Sequence, residues 1–251
     1  MAASTFKEQS EEVRYWAVIP AAGVGKRMGA NIPKQYLPLA GKTVLEQTLS
    51  IFIHHPAIDG IVIAVTDGDP YWQEMSEHIN QLVHQSNKYS IIVAPGGQER
   101  CYSVLNALSE LIPHASENDW VLVHDAARPC LTAADIYHLI EQLSDTSEGG
   151  LLGLPMADTV KRCDNNQVVL ETVDRSELWR ALTPQMFPLL RLKDALEQAI
   201  NSDAMVTDEA SAIELQGGKP IMVEGQPGNI KITHPGDLQL AELFFSQMES
   251  D

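Results

Sequence analysis

Residues 16–38 read WAVIPAAGVGKRMGANIPKQYLP. A short apolar run, WAVIP, leads straight into a turn that holds Gly23 and Gly25, and Lys26, Arg27 and Lys34 follow. A strand that opens through a glycine turn into a helix is a ready anion site, because helix-start N–H groups point at the ligand. Two familiar phosphate loops fail on pattern. The dinucleotide fingerprint GxGxxG meets Met28 where its third glycine belongs. The P-loop ending at Gly41-Lys42-Thr43 has Tyr36 where its first glycine belongs. Arg27 and Lys34 can still converge on one anionic group. Two cations with several backbone donors suit a triphosphate, whose leaving pyrophosphate gains charge. Against this stand a plain tight turn and a pair of solvated surface charges.

Working outward, short apolar runs recur at IVIAV (61–65), IIVAP (91–95), WVLVHD (120–125), LLGLP (151–155) and PIMVEG (220–225). Several are continuous rather than alternating, as expected of strands buried on both faces. Helical patterns separate them at 43–55, 98–111 and 132–144, the last with Thr132 as N-cap and Asp135 in its first turn. Strand alternating with helix predicts an α/β fold with a mostly parallel sheet covered on both faces. Residues 157–177 break the rhythm. Asp164-Asn165-Asn166 between TVKR and QVVLETV predicts a β-hairpin. The residues favour a surface hairpin packed on its own domain over a protruding arm.

The chain has 251 residues, enough for one large α/β domain, and a formal net charge of -17. That charge argues against a nucleic-acid partner but leaves room for a local cationic pocket. Cys101, Cys130 and Cys163 are too few and too scattered for a disulfide framework or a zinc set, and read as reduced thiols of a cytoplasmic protein. No apolar leader is visible in residues 1–16, and no run is long enough to cross a membrane.

Further segments fall in order along the chain: PAAGVGKRM (20–28), PKQ (33–35), GGQERCYSV (96–104), VHDAARP (123–129), DTVKR (158–162), TVDR (172–175), ALTPQ (181–185), TDEAS (207–211) and NIKIT (229–233). The first resembles the wider nucleotidyltransferases. The ordered set resembles the 2-C-methyl-D-erythritol 4-phosphate cytidylyltransferase family, from about residue 14 to 247. That resemblance implies a Rossmann-like three-layer sandwich of the nucleotide-diphospho-sugar transferase type. It implies one domain over 14–251 after a tail at 1–13, with a β-arm inserted at about 156–178 that crosses a homodimer interface. The implied reaction is transfer of CMP from CTP to the sugar phosphate.

The resemblance also implies roles. Ala21, Ala22, Gly23 and Gly25 would cradle the CTP phosphates, and Arg27, Lys34 and Lys231 would be catalytic cations. Gly96, Gly97, Gln98 and Ser103 would hold cytosine, although the family often carries an acid where this chain has Gln98. Asp125 would bind CTP, the acceptor and Mg²⁺. A hard carboxylate at a strand end suits that ion, while a cap or an ion pair with Arg128 is the plainer reading of the residue alone. Arg128, Thr159, Arg175, Thr183 and Lys231 would hold the acceptor, with Thr159 reaching the neighbour's site. Arg100 reads equally as a structural ion-pair partner. His124 receives no role, since neighbours on a strand face opposite ways. Lys26, Asp208 and Glu209 stay unassigned. Ribitol 5-phosphate as acceptor and a non-catalytic nucleotide-binding protein are the competing readings. The length leaves no room for a fused second enzyme.

Overall fold

The computed structural model describes residues 13–23, 32–86 and 91–248. The expected tail at 1–13 therefore lies almost wholly outside the described residues. In the described residues, seven strands form one sheet in the order β11-β7-β10-β6-β1-β4-β5. These strands are β1 (Tyr15–Pro20), β4 (Gly60–Val65), β5 (Ile92–Pro95), β6 (Trp120–Val123), β7 (Gly150–Pro155), β10 (Trp179–Pro188) and β11 (Ile221–Glu224). β1 pairs in parallel with β4 and β6, β4 with β5, and β7 with β11. β10 runs antiparallel to both β6 and β7. The sheet is thus mostly parallel, as the continuous apolar runs predict.

Side chains alternate between two layers. Ala17 and Ile19 of β1 join a core with α1 (Val44–His54), α2 (Pro70–Gln85) and α4 (Ala133–Leu143). Trp16 and Val18 face the other layer, with α3 (Arg100–Leu111), α5 (Leu189–Asn201) and α6 (Glu209–Leu215). A three-layer sandwich results. The Trp16 ring packs where a side chain on Gly60 would stand: a Cβ there would lie 2.3 Å from the indole. A smaller cluster joins Leu39, Val44, Ala127 and Ile232 to α7 (Pro235–Met248).

The helix starts follow local chemistry. Thr43 and Glu46 form a capping box on α1, and Thr132 and Asp135 form one on α4, as the sequence predicts for Thr132. Lys42–Thr43 is a short strand, β3, paired with β2 (Pro38–Leu39), so the P-loop-like ending serves a cap. α2 escapes sequence reading because it buries a narrow stripe, Trp72, Met75, Ile79 and Val83, on a polar helix. β10 escapes it because Ala181–Gln185 interrupts its ladder with β7 and carries Pro184.

The hairpin at 157–177 exists as β8 (Val160–Cys163) paired with β9 (Val169–Val173), a sheet of its own. It does not pack on its own domain. No residue from 157 to 181 is buried. The sequence preference for a packed surface hairpin is corrected on that point. Val168, Val169 and Leu170 are all more than half exposed.

Candidate active site

The chain runs from β1 to β4 and β5 on one side, then returns to β6 on the other. Such a reversal opens a crevice at the carboxyl ends of the strands. A cleft of about 630 Å³ lies there. Its walls come from the end of β1 (Pro20 to Gly23), from Lys34 and Gln35, from Gly97 to Arg100 with Ser103, from Asp125 to Ala127, and from Lys231 and Thr233.

Asp125 is the centre of charge. It lies two residues beyond the end of β6 rather than within the strand, because the β6 ladder stops at Val123. Its carboxylate accepts from Arg100 Nε at 2.9 Å, Lys231 Nζ at 2.8 Å and Arg128 Nε at 3.3 Å. Burial alone would raise the Asp125 carboxyl. The Arg100 guanidinium, then Lys231 and Arg128, hold it far below the usual carboxylate range. Arg128 is also buried, which lowers its own pKa, and its guanidinium donates to the Asn229 carbonyl at 2.8 Å. Lys231 has 38% of its side chain exposed and faces the cleft, so of the three cations it is the freest to leave.

Behind the carboxylate sits a chain of hydrogen bonds. The Asp125 N–H donates to Thr183 Oγ1 at 3.2 Å. Thr183 Oγ1 lies 2.9 Å from His124 Nδ1, and His124 Nε2 lies 3.0 Å from the Arg128 carbonyl. That carbonyl can only accept, so the ring carries its proton on Nε2, and its Nδ1 accepts a hydrogen bond from the Thr183 hydroxyl. Burial pushes the His124 pKa down to about 4, which keeps the ring neutral in this role. His124 does not line the cleft, although it lies beyond β6 where strand parity no longer applies, and it fixes the loop that carries Asp125. Asn229 donates to the Thr183 carbonyl at 2.7 Å, and its buried Oδ1 has no protein partner.

On the opposite wall, Gln35 is buried and donates to the carbonyls of Ala21 at 2.7 Å and Gly23 at 3.0 Å. The amide thereby fixes the chain at Ala21 and Gly23, where β1 enters the turn. Lys34 lines the same wall, and its Nζ donates to the Ile232 carbonyl at 2.7 Å, one residue past Lys231. Gly96 and Gly97 serve close approach. A Cβ on Gly96 would lie 2.2 Å from the Ala22 Cβ, and one on Gly97 2.2 Å from the Tyr102 Cβ. The Gly97 N–H donates to Ser103 Oγ at 2.9 Å, so that hydroxyl shapes the loop on which Gln98 meets the cleft.

The predicted residues thus divide. Ala21, Ala22, Gly23, Lys34, Gly97, Gln98, Ser103, Asp125 and Lys231 line one cleft. Gly96 sits directly behind Ala22. Arg128 and Thr183 are buried beneath Asp125. Thr159 and Arg175 lie exposed on the arm and do not line the cleft. Gly25, Lys26 and Arg27 lie outside the described residues. Sequence reading gave no role to Gln35, His124 or Glu209, although PKQ, HDAARP and TDEAS contain them. Among the described residues, no three His, Cys, Asp or Glu side chains gather as a metal cage. Asp125, with Glu99 also at the cleft, fits a hard ion that takes most ligands from phosphate and water, the habit of Mg²⁺.

The model of the family described as 2-C-methyl-D-erythritol 4-phosphate cytidylyltransferase matches residues 15–247. The chain belongs to this family. It is 49% identical over 245 residues to the protein of that name from Hahella chejuensis, covering 97% of this chain and 98% of that one. It is 52% identical over 228 residues to the Pseudomonas putida GB-1 protein of that name, covering 90% and 93%. The crystal structure of the Francisella tularensis protein of that name superposes with a TM-score of 0.76 at 39% identity, covering 92% of this chain and 99% of that one. Membership and fold agree with the resemblance carried by the ordered motifs. Among the described residues, no helix is long and apolar enough to cross a membrane.

Proposed function

We propose that the protein transfers CMP from CTP to 2-C-methyl-D-erythritol 4-phosphate, giving 4-diphosphocytidyl-2-C-methyl-D-erythritol and pyrophosphate in non-mevalonate isoprenoid precursor synthesis. An acceptor phosphate oxygen attacks the α-phosphorus, and the bond to the pyrophosphate oxygen breaks. The observation that carries this reading is the meeting of Lys231, Arg100 and Arg128 on Asp125, opposite Lys34 and the glycine turn.

Two anions must be brought together, so charge and alignment dominate the problem. Arg27 and Lys34 stabilise charge on the triphosphate as pyrophosphate departs. Lys231 exchanges Asp125 for the α-phosphate. Ala21, Ala22, Gly23 and Gly25 hold phosphates, and Gly96, Gly97, Gln98 and Ser103 hold cytosine. Asp125 would hold Mg²⁺, which would supply positive charge for the phosphates. Arg128, Thr183 and Lys231 hold the acceptor together with Asp125, and Thr183 also fixes the Asp125 main chain.

Residues 14–251 act as one domain in this reading, and the arm at about 156–178 pairs two copies into a homodimer. The exposure of Val168, Val169 and Leu170 supports it, as does the marginal stability of a lone two-stranded hairpin. Thr159 and Arg175 then reach the partner's cleft. The three free thiols suit the cytoplasm. Pyrophosphate release is the test, measured with CTP, Mg²⁺ and either acceptor. Turnover on methylerythritol phosphate is expected. Turnover on ribitol 5-phosphate alone would move the assignment, and turnover on neither would leave a nucleotide-binding protein.

A further inference from the structure

We propose that Glu209 is a positioning residue for CMP transfer, acting through Arg100 on the Asp125 carboxylate. The proposal rests on the role given above to Asp125.

The geometry is a bridge between two carboxylates. Arg100 opens α3 and lines the cleft. Its two terminal nitrogens donate to Glu209, Nη1 to Oε1 at 2.6 Å and Nη2 to Oε2 at 3.0 Å. Its Nε donates to Asp125 Oδ1 at 2.9 Å. The guanidinium is planar and its donors have fixed directions. Fixing one end on Glu209 therefore fixes where the other end holds Asp125. Glu209 is itself only 1% exposed, so solvent does not compete for it.

The helix that carries Glu209 is tied to the same strand that holds the Asp125 backbone. Gln185 of β10 donates to Asp208 Oδ2 at 2.9 Å and accepts from the Ala210 N–H at 2.8 Å. Thr183, two residues earlier, accepts the Asp125 N–H. The segments HDAARP, ALTPQ and TDEAS are thereby one brace: Thr183 holds the Asp125 main chain, and Glu209 holds its side chain through Arg100. Sequence gives no view of this, because Arg100 and Glu209 stand 109 positions apart.

A brace of this kind is needed because the cluster changes on binding. Three cations meet Asp125, and Lys231 must leave it to reach phosphate. Arg100 also borders the cleft, where a triphosphate would draw it away. The Glu209 carboxylate supplies the opposing charge that keeps Arg100 on Asp125. A buried ion pair of this kind could serve stability alone, and kinetics separate the two roles.

The test is steady-state pyrophosphate release from the full chain with CTP and methylerythritol phosphate. Glu209→Gln keeps the shape and removes the charge. It is expected to lower kcat at least about tenfold while KM for CTP moves less than about threefold. In an Arg100→Met background the same change is expected to add less than about twofold, because its effect runs through Arg100. Wild-type kcat in Glu209→Gln, or two effects that multiply in full, would overturn the proposal. Should Glu209→Gln fail to fold, Arg100→Met/Glu209→Leu removes both charges together, a change buried pairs often tolerate. A folded double variant with wild-type kcat would also overturn it. Failure of the wild-type chain to release pyrophosphate would count against the proposed function instead.

Discussion

Arg100 and Arg162 each meet a glutamate at 2.6 Å, in two very different settings. The first pair lies under the cleft, with the Glu209 side chain 1% exposed. The second lies on the arm, with both side chains more than half exposed. An exposed pair contributes about 0–1 kcal/mol, because solvent screens it and holding two long side chains costs entropy. Breaking a buried pair by removing one partner costs about 3–5 kcal/mol, since a desolvated charge is left alone. Equal distances therefore mark unequal effects. The cleft is a pre-organised charge cluster whose members are fixed from β6, β10, α3 and α6. The arm is a two-stranded ribbon with no buried residue.

The largest predicted effect falls on the cations of the cleft. Lys34→Ala or Arg27→Ala should each lower kcat at least about a hundredfold, the scale of lost transition-state charge stabilisation. A change in KM for CTP alone, measured by steady-state kinetics, would break the assignment.

The next effect concerns His124, the neutral support of Asp125. Its pKa is about 4 in the folded chain and 6.5 when free. As pH falls below about 6.5, the unfolded chain takes up this proton before the folded one does. Stability is therefore lost across the window from about 6.5 to 4, and the loss then levels. The contribution between pH 7.5 and 4.5 is about 2–3 kcal/mol. Denaturant melts should show it in the wild type and not in His124→Gln. Equal pH slopes in the two would contradict a buried neutral ring.

The smallest effect falls on the arm. Arg162→Ala should change stability by less than about 0.5 kcal/mol in the same melts. A loss several times larger would mean that the pair is covered in solution, which would itself sharpen the case for a second copy.

The central sheet was legible in the sequence because its strands are buried on both faces, so Val18, Val62 and Val121 stand in unbroken apolar runs. The start of α4 was legible because Thr132 and Asp135 are neighbours in the chain. The polar α2 offers too narrow an apolar stripe, and the irregular Ala181–Gln185 hides β10. The site was legible where a motif is local, as in the turn around Gly23 or HDAARP. It was not legible where the chemistry joins distant segments, as with Arg100 and Glu209 or Gln35 and the Ala21 carbonyl. The hairpin misled for a physical reason. QVVLETV has strand composition on both faces, and composition does not say what covers it.

The central claim is that the core of one subunit builds the charge cluster while the arm of another completes it. Subunit mixing tests that most directly. Asp125→Asn breaks the cluster, Arg175→Ala breaks the arm, and each variant alone should be nearly inactive in CTP-dependent pyrophosphate release. Random exchange makes half the dimers mixed, and each mixed dimer holds one intact site. Activity should then return to about a quarter of wild type. Activity that stays at the level of the separate variants, with exchange confirmed by mass spectrometry, would contradict a shared site.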